Sequence, residues 1–92
     1  MKLTAKISKN FRDVATGAPK VLLRSICTED DEFRDHAWVE LTPNLRKVVA
    51  SIRGNRSLVI ELEADEKFYK YKTGVIKRTL TNINNIKILG RA

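Results

Sequence analysis

The chain is poor in the residues that most often carry chemistry: it has one cysteine, one histidine and one tryptophan. A lone Cys27 excludes an intramolecular disulfide, and Cys27 with His36 cannot supply the usual Cys/His set of a zinc site. The thiol count fits a reducing compartment. No uncharged run approaches the roughly 18–20 apolar residues of a membrane span. Met1-Lys2-Leu3-Thr4-Ala5-Lys6 alternates and lacks the apolar core of a secretory leader, so it reads as mature cytoplasmic sequence. There is no glycine-rich phosphate loop, nucleophile elbow or metal-ligand spacing. Asp35 and His36 are neighbours on an expected strand, so their side chains point to opposite faces and form no dyad; Glu40 is the other acid close by. No catalytic residue, metal or cofactor is therefore expected. His36 reads as a partly buried imidazole hydrogen-bonded across strands, and Cys27 as a small core residue.

What the chain does have is positive charge. Its 92 residues carry 18 basic and 11 acidic groups, a net charge of +7, and the distribution is uneven. Residues 1–28 carry +5, residues 29–41 carry −5, and residues 42–56 carry +4. Residues 57–72 carry −1 and residues 73–92 carry +4. A fold that keeps these blocks apart presents a basic face, which favours polyanions. The plainer reading is that the charge serves solubility. With 42% hydrophobic and 32% charged residues, the composition is that of one globular domain over 1–92.

Five stretches have strand character. Lys2 to Ser8 alternates with Leu3, Ala5 and Ile7 on one face. Val21 to Cys27 is apolar enough for a central strand. Glu29-Asp30-Asp31-Glu32 reads as a solvated hairpin turn, and Phe33 to Leu41 alternates, with Phe33, Ala37, Val39 and Leu41 to one side. Residues 42–54 change period: Thr42 is placed to cap a helix, Pro43 suits its first position, and Leu45, Val48, Val49 and Ile52 make one apolar stripe. Gly54 is placed to end a helix of about eleven residues. Ser57 to Ala64 alternates again and continues through Phe68 to Lys72, with a bulge or bend expected near Asp65–Lys67 to absorb a change of parity. Thr73-Gly74 turns the chain into a last strand, Val75 to Leu89, in which Asn82-Ile83-Asn84-Asn85 suggests an internal turn. The order is strand, strand, strand, helix, strand, strand. It points to an all-β domain with one short helix, a five-stranded Greek-key barrel of the OB type whose helix lies between strands 3 and 4. The alternative is an open α+β sheet with the helix laid across it.

Asp35-His36-Ala37-Trp38-Val39-Glu40, following Val21-Leu22-Leu23, resembles a stretch of small OB-like proteins of bacteria and their prophages. There a leucine-rich strand leads to an aspartate-histidine-x-tryptophan strand, then a helix, a strand ending in an aromatic, and a closing leucine-asparagine-isoleucine strand. The likeness covers about residues 1–90 in order and spacing, with Leu45–Ile52, Leu58–Tyr69 and Leu80–Ile88 as its later parts. It implies the fold more than a function, and Glu66 departs from it where an apolar residue is expected.

Lys67-Phe68-Tyr69-Lys70-Tyr71-Lys72 interleaves rings and ammonium groups, offering stacking for bases and charge for phosphates. Lys77 and Arg78 lie across the turn, and Arg24 projects from the second strand, a region OB folds use for ligands. Trp38, on the outer face of strand 3, is placed either to stack a base or to cap the barrel; Tyr69 and Tyr71 either stack or pack on the barrel. Arg24, Trp38, Lys67, Tyr69, Lys70, Tyr71, Lys72, Lys77 and Arg78 are thus the candidate nucleic-acid-binding residues. The expected role is a non-catalytic binder of single-stranded DNA or RNA, with no membrane or small-molecule partner. The alternative is a protein-interaction adaptor on the same barrel, for which the 29–32 acids offer a contact for a basic partner.

Overall fold

The computed structural model describes residues 1–13, 17, 19–28 and 36–92, with the side chains of Tyr69, Lys77 and Arg78 outside that description. The elements are β1 (Lys2–Arg12), β2 (Lys20–Thr28), β3 (Ala37–Glu40), α1 (Pro43–Ala50), β4 (Leu58–Lys70) and β5 (Ile76–Arg91). All five strands join one antiparallel sheet in the order β3-β2-β1-β4-β5. The sheet curls so that its outer strands approach each other: the Thr79 hydroxyl on β5 donates to the Trp38 carbonyl on β3 at 3.1 Å. The result is a half-barrel. The 29–32 turn and the first residues expected in the third strand, Phe33 to Asp35, lie outside the described residues. Among the described residues, no helix is long and apolar enough to cross a membrane.

Strand alternation sets the core. Leu3, Ala5 and Ile7 from β1, Val21, Leu23 and Ile26 from β2, Ala37 and Val39 from β3, and Ile60, Leu62 and Ala64 from β4 all point inward and are buried. Leu80 joins them from β5. Each large side chain removed from water contributes about 1.5–3 kcal/mol, so this face holds the sheet in its curl. On β2 the inward spacing slips from two to three residues between Leu23 and Ile26. Ser25, with a left-handed φ of 51°, takes up the extra residue, and Arg24 and Ser25 both face outward.

α1 forms where the period changes. Thr42 caps it, its hydroxyl accepting from the Leu45 amide at 3.5 Å, and Pro43 occupies the first turn. Leu45, Val48 and Val49 bury one stripe, and Ile52 follows just past the end. The helix spans eight residues, shorter than its pattern suggests. Ser51 stops it: its hydroxyl donates to the Val48 carbonyl at 2.6 Å, satisfying an end carbonyl that a further turn would have used. Gly54 (φ 62°) belongs to the turn beyond, not to the cap.

β5 is continuous where an internal turn was expected. Opposite Val59–Asp65 it carries an extra residue three times, each a bulge marked by a positive φ: Asn82 (53°), Asn85 (51°) and Gly90 (152°). Asparagine tolerates this region better than other side chains because its amide bonds locally. Here the Asn82 amide donates to Asp65 Oδ2 at 2.9 Å and the Asn85 amide to Glu63 Oε2 at 2.7 Å. From Asp65 to Lys70 the register is regular. No register shift falls within 65–67; the nearest lies between Glu63 and Asp65, where the extra residue is on the partner strand. Bulges bend and twist a strand, so β5 wraps the core along one half and runs straight along the other.

Candidate nucleic-acid interface

The straight half of β4–β5 forms a hairpin. Lys70 pairs with Ile76, the Tyr71 amide donates to the Val75 carbonyl at 2.9 Å, and the Gly74 amide donates to the Tyr71 carbonyl at 2.9 Å. Inward parity continues from Leu62 and Ala64 through Glu66 to Phe68, yet Phe68 is 60% exposed because the hairpin has run past the core. Tyr71, Val75 and Ile76 are also half or more exposed. Lys67, Lys70 and Lys72 are exposed beside them. No acidic residue occurs from 67 to 78, where five basic residues do. The backbone register sets Tyr69 opposite Lys77 and Phe68 opposite Arg78.

Trp38 is half-buried on the outer face, opposite Leu22 of β2. The Arg12 guanidinium lies 5.8 Å from the ring centroid, a cation–π distance. One face of the indole is thus already partnered, and Arg12 is a functional candidate that sequence reasoning missed. Its signal is faint, since it depends on β1 running on to Arg12 rather than stopping near Ser8.

Arg24 is not with the hairpin. It pairs with Lys6, which pairs with Val59 at the start of β4, ten residues before Tyr69 and so about 33 Å along the strand at 3.3 Å per residue. Its guanidinium donates to the Ser57 hydroxyl at 3.3 Å. Two adjoining depressions, about 540 and 470 Å³, open at this end and share Arg56 and Arg91. Lys6 and Arg24 line the first and Arg53 the second; no acidic side chain lines either. Between this end and the hairpin, the outward residues of β4 are acidic: Glu61, ion-paired with Lys2 at 3.3 Å, then Glu63 and Asp65. The candidate residues therefore divide into two basic zones separated by carboxylates.

His36 is exposed rather than partly buried: it precedes the first inward residue of β3, and among the described residues no strand pairs with it. Cys27 is half-buried, its thiol 3.4 Å from the Ser25 carbonyl. Among the described residues no group of three or more His, Cys, Asp or Glu side chains is placed to hold a metal.

Fold and surface define a mostly-β domain with one helix, a curled five-stranded antiparallel sheet, and basic groups gathered at both ends of its longest hairpin. No protein-family model, no curated protein and no solved structure matches the chain.

Proposed function

We propose that the chain is a non-catalytic, cytoplasmic single-stranded nucleic-acid-binding module built as an OB-type Greek-key barrel. The order β3-β2-β1-β4 supports the Greek key, since the fourth strand returns by a long connection to lie beside the first. The approach of β3 to β5 through Thr79 and Trp38 supports a partly open barrel.

The observation that carries the function is the hairpin: rings and aliphatic groups half or more exposed, set among lysines, on an arm that runs past the core. An exposed ring such as Tyr71 is a platform for a base, worth about 1–3 kcal/mol per stack, and lysine beside it neutralises phosphate. Trp38 with Arg12 extends the same chemistry toward β3. Fluorescence anisotropy with mixed-sequence 20-mers tests the reading. Binding should weaken with salt at a log–log slope of about −0.7 per phosphate contacted. Lys70→Glu/Lys72→Glu should lower affinity on the order of ten-fold and flatten that slope by about 1.4, two contacts' worth. Absence of binding at low salt ends the proposal.

A protein-interaction adaptor is the second reading, favoured by Val75 and Ile76, which are 52% and 64% exposed and offer nothing to a phosphate chain. A stoichiometric partner that survives nuclease treatment, and is lost on Ile76→Ser, would favour it.

A further inference from the structure

We propose that the end of the sheet opposite the hairpin is a second, separate site for the phosphate groups of a polyanion, formed by Lys6, Arg24, Arg53, Arg56 and Arg91. That the polyanion is a nucleic-acid strand rests on the function proposed above; the phosphate chemistry of the site does not.

Four separate parts of the chain converge there. Arg24 is exposed beside Ser25, whose left-handed backbone takes up the bulge of β2. Lys6 is its cross-strand neighbour on β1. Arg53 and Arg56 flank the turn at Gly54, where the Arg56 amide donates to the Arg53 carbonyl at 3.4 Å. Arg91 follows Gly90, the last bulge of β5, and pairs with Leu58. Ser57 ties the group together: its hydroxyl accepts from Arg24 and its carbonyl accepts from the Ala92 amide at 3.0 Å.

Five cations gathered around two joined depressions without an acidic side chain repel one another, and an anion in the depressions relieves that repulsion. The negative end of α1 lies nearby, at Ser51 and Ile52, and would oppose an anion. Two of its last carbonyls are occupied, however, that of Val48 by Ser51 and that of Val49 by the Ile52 amide at 3.0 Å. The larger depression, about 540 Å³, exceeds what one phosphate needs and suits several in sequence. Arginine is the residue of choice for such groups, its planar fork matching two phosphate oxygens at once. Glu61, Glu63 and Asp65 stand between this end and the hairpin on β4, so a phosphate chain held at one zone cannot continue to the other along that strand. Two sites, rather than one long groove, follow.

The experiment has two arms. In the first, inorganic tripolyphosphate is titrated into the labelled protein and followed by NMR. The amides of Lys6, Arg24, Arg56 and Arg91 should shift and saturate; no shift at these residues overturns the proposal. In the second, Arg56→Glu/Arg91→Glu is compared with Arg46→Glu/Lys47→Glu, an equal charge change on exposed helix residues that line neither depression. Anisotropy with a thymidine 20-mer should show the first variant weaker by on the order of ten-fold, with its salt slope flatter by about 1.4 than the second's. Equal losses in the two variants overturn the site as one for nucleic acid. If the wild type shifts with tripolyphosphate but binds no oligonucleotide, the function proposed above fails and the site stands as one for free polyphosphate. Circular dichroism of each variant confirms that the fold is kept.

Discussion

The two halves of β4 are one strand paired with β5 throughout, and only the first half also pairs with β1, yet they do opposite things. From Leu58 to Ala64 it alternates cleanly, with Ile60 and Leu62 fully buried, and its partner bulges three times. From Asp65 to Lys70 it runs in even register, and Phe68, in the same inward series, is 60% exposed. What separates the halves is curvature together with the second neighbour, β1, which pairs only along Leu58 to Glu63. Each bulge in β5 bends the ladder around the apolar side chains of β4; where the bulges stop, the ladder straightens and leaves the core. A bent half makes the fold and a straight half makes an arm, so the parity of apolar residues alone does not say which of them are buried.

The sharpest way to break this contrast is to remove bulk from the bent half. Leu62→Ala deletes a fully buried side chain among close neighbours and should cost about 2–5 kcal/mol, measured as a lowered urea midpoint at unchanged slope. A loss under about 1 kcal/mol would mean that this half is not the packed one.

The bulges themselves come next. Asn85 holds a left-handed φ and donates to Glu63. Asn85→Ala should cost about 1–2 kcal/mol, since other L-residues are strained there, and Asn85→Gly should lose only the exposed hydrogen bond, about 0.5 kcal/mol. If alanine and glycine fall equally in urea denaturation, backbone conformation at 85 is not what bends the strand. In the sequence, Asn82-Ile83-Asn84-Asn85 carried the correct local signal, residues that accept positive φ, but that signal is shared by turns and bulges. Only the strand on the other side, Leu58 to Asp65, selects the bulge, because it needs a partner along its whole length.

The helix was legible for the opposite reason: Thr42, Pro43 and the stripe from Leu45 to Ile52 all act within a few residues of one another. Its end was not, because a Ser51 hydroxyl reaching back to Val48 competes with the glycine signal at 54. The candidate site was half legible. The hairpin lies within one stretch, and its basic-aromatic composition is visible without the fold. Lys6, Arg53, Arg56 and Arg91 are scattered over most of the chain. The only trace of their meeting is the run of +4 over residues 42–56 without an acid, which marks charge but not convergence. Arg24 is a candidate because it projects from the second strand, in a region OB folds use for ligands, yet the register puts it and the tyrosines at opposite ends of β4.

The smallest stability effect belongs to the straight half, and it is also the most discriminating. Phe68→Ser/Tyr71→Ser removes two half-exposed rings from an arm beyond the core, where surface substitutions usually stay within about 0.5 kcal/mol each. The urea midpoint should barely move. Binding of a 20-mer should nevertheless weaken by ten-fold or more, since one lost stack already amounts to about 1–3 kcal/mol. The salt slope should stay as in the wild type, because no cation has been removed. That signature separates rings that meet bases from rings that merely finish a hairpin. Lost affinity at unchanged slope is stacking, and a large drop in the urea midpoint would place the two rings in a packed layer, ending the distinction between the bent half and the arm.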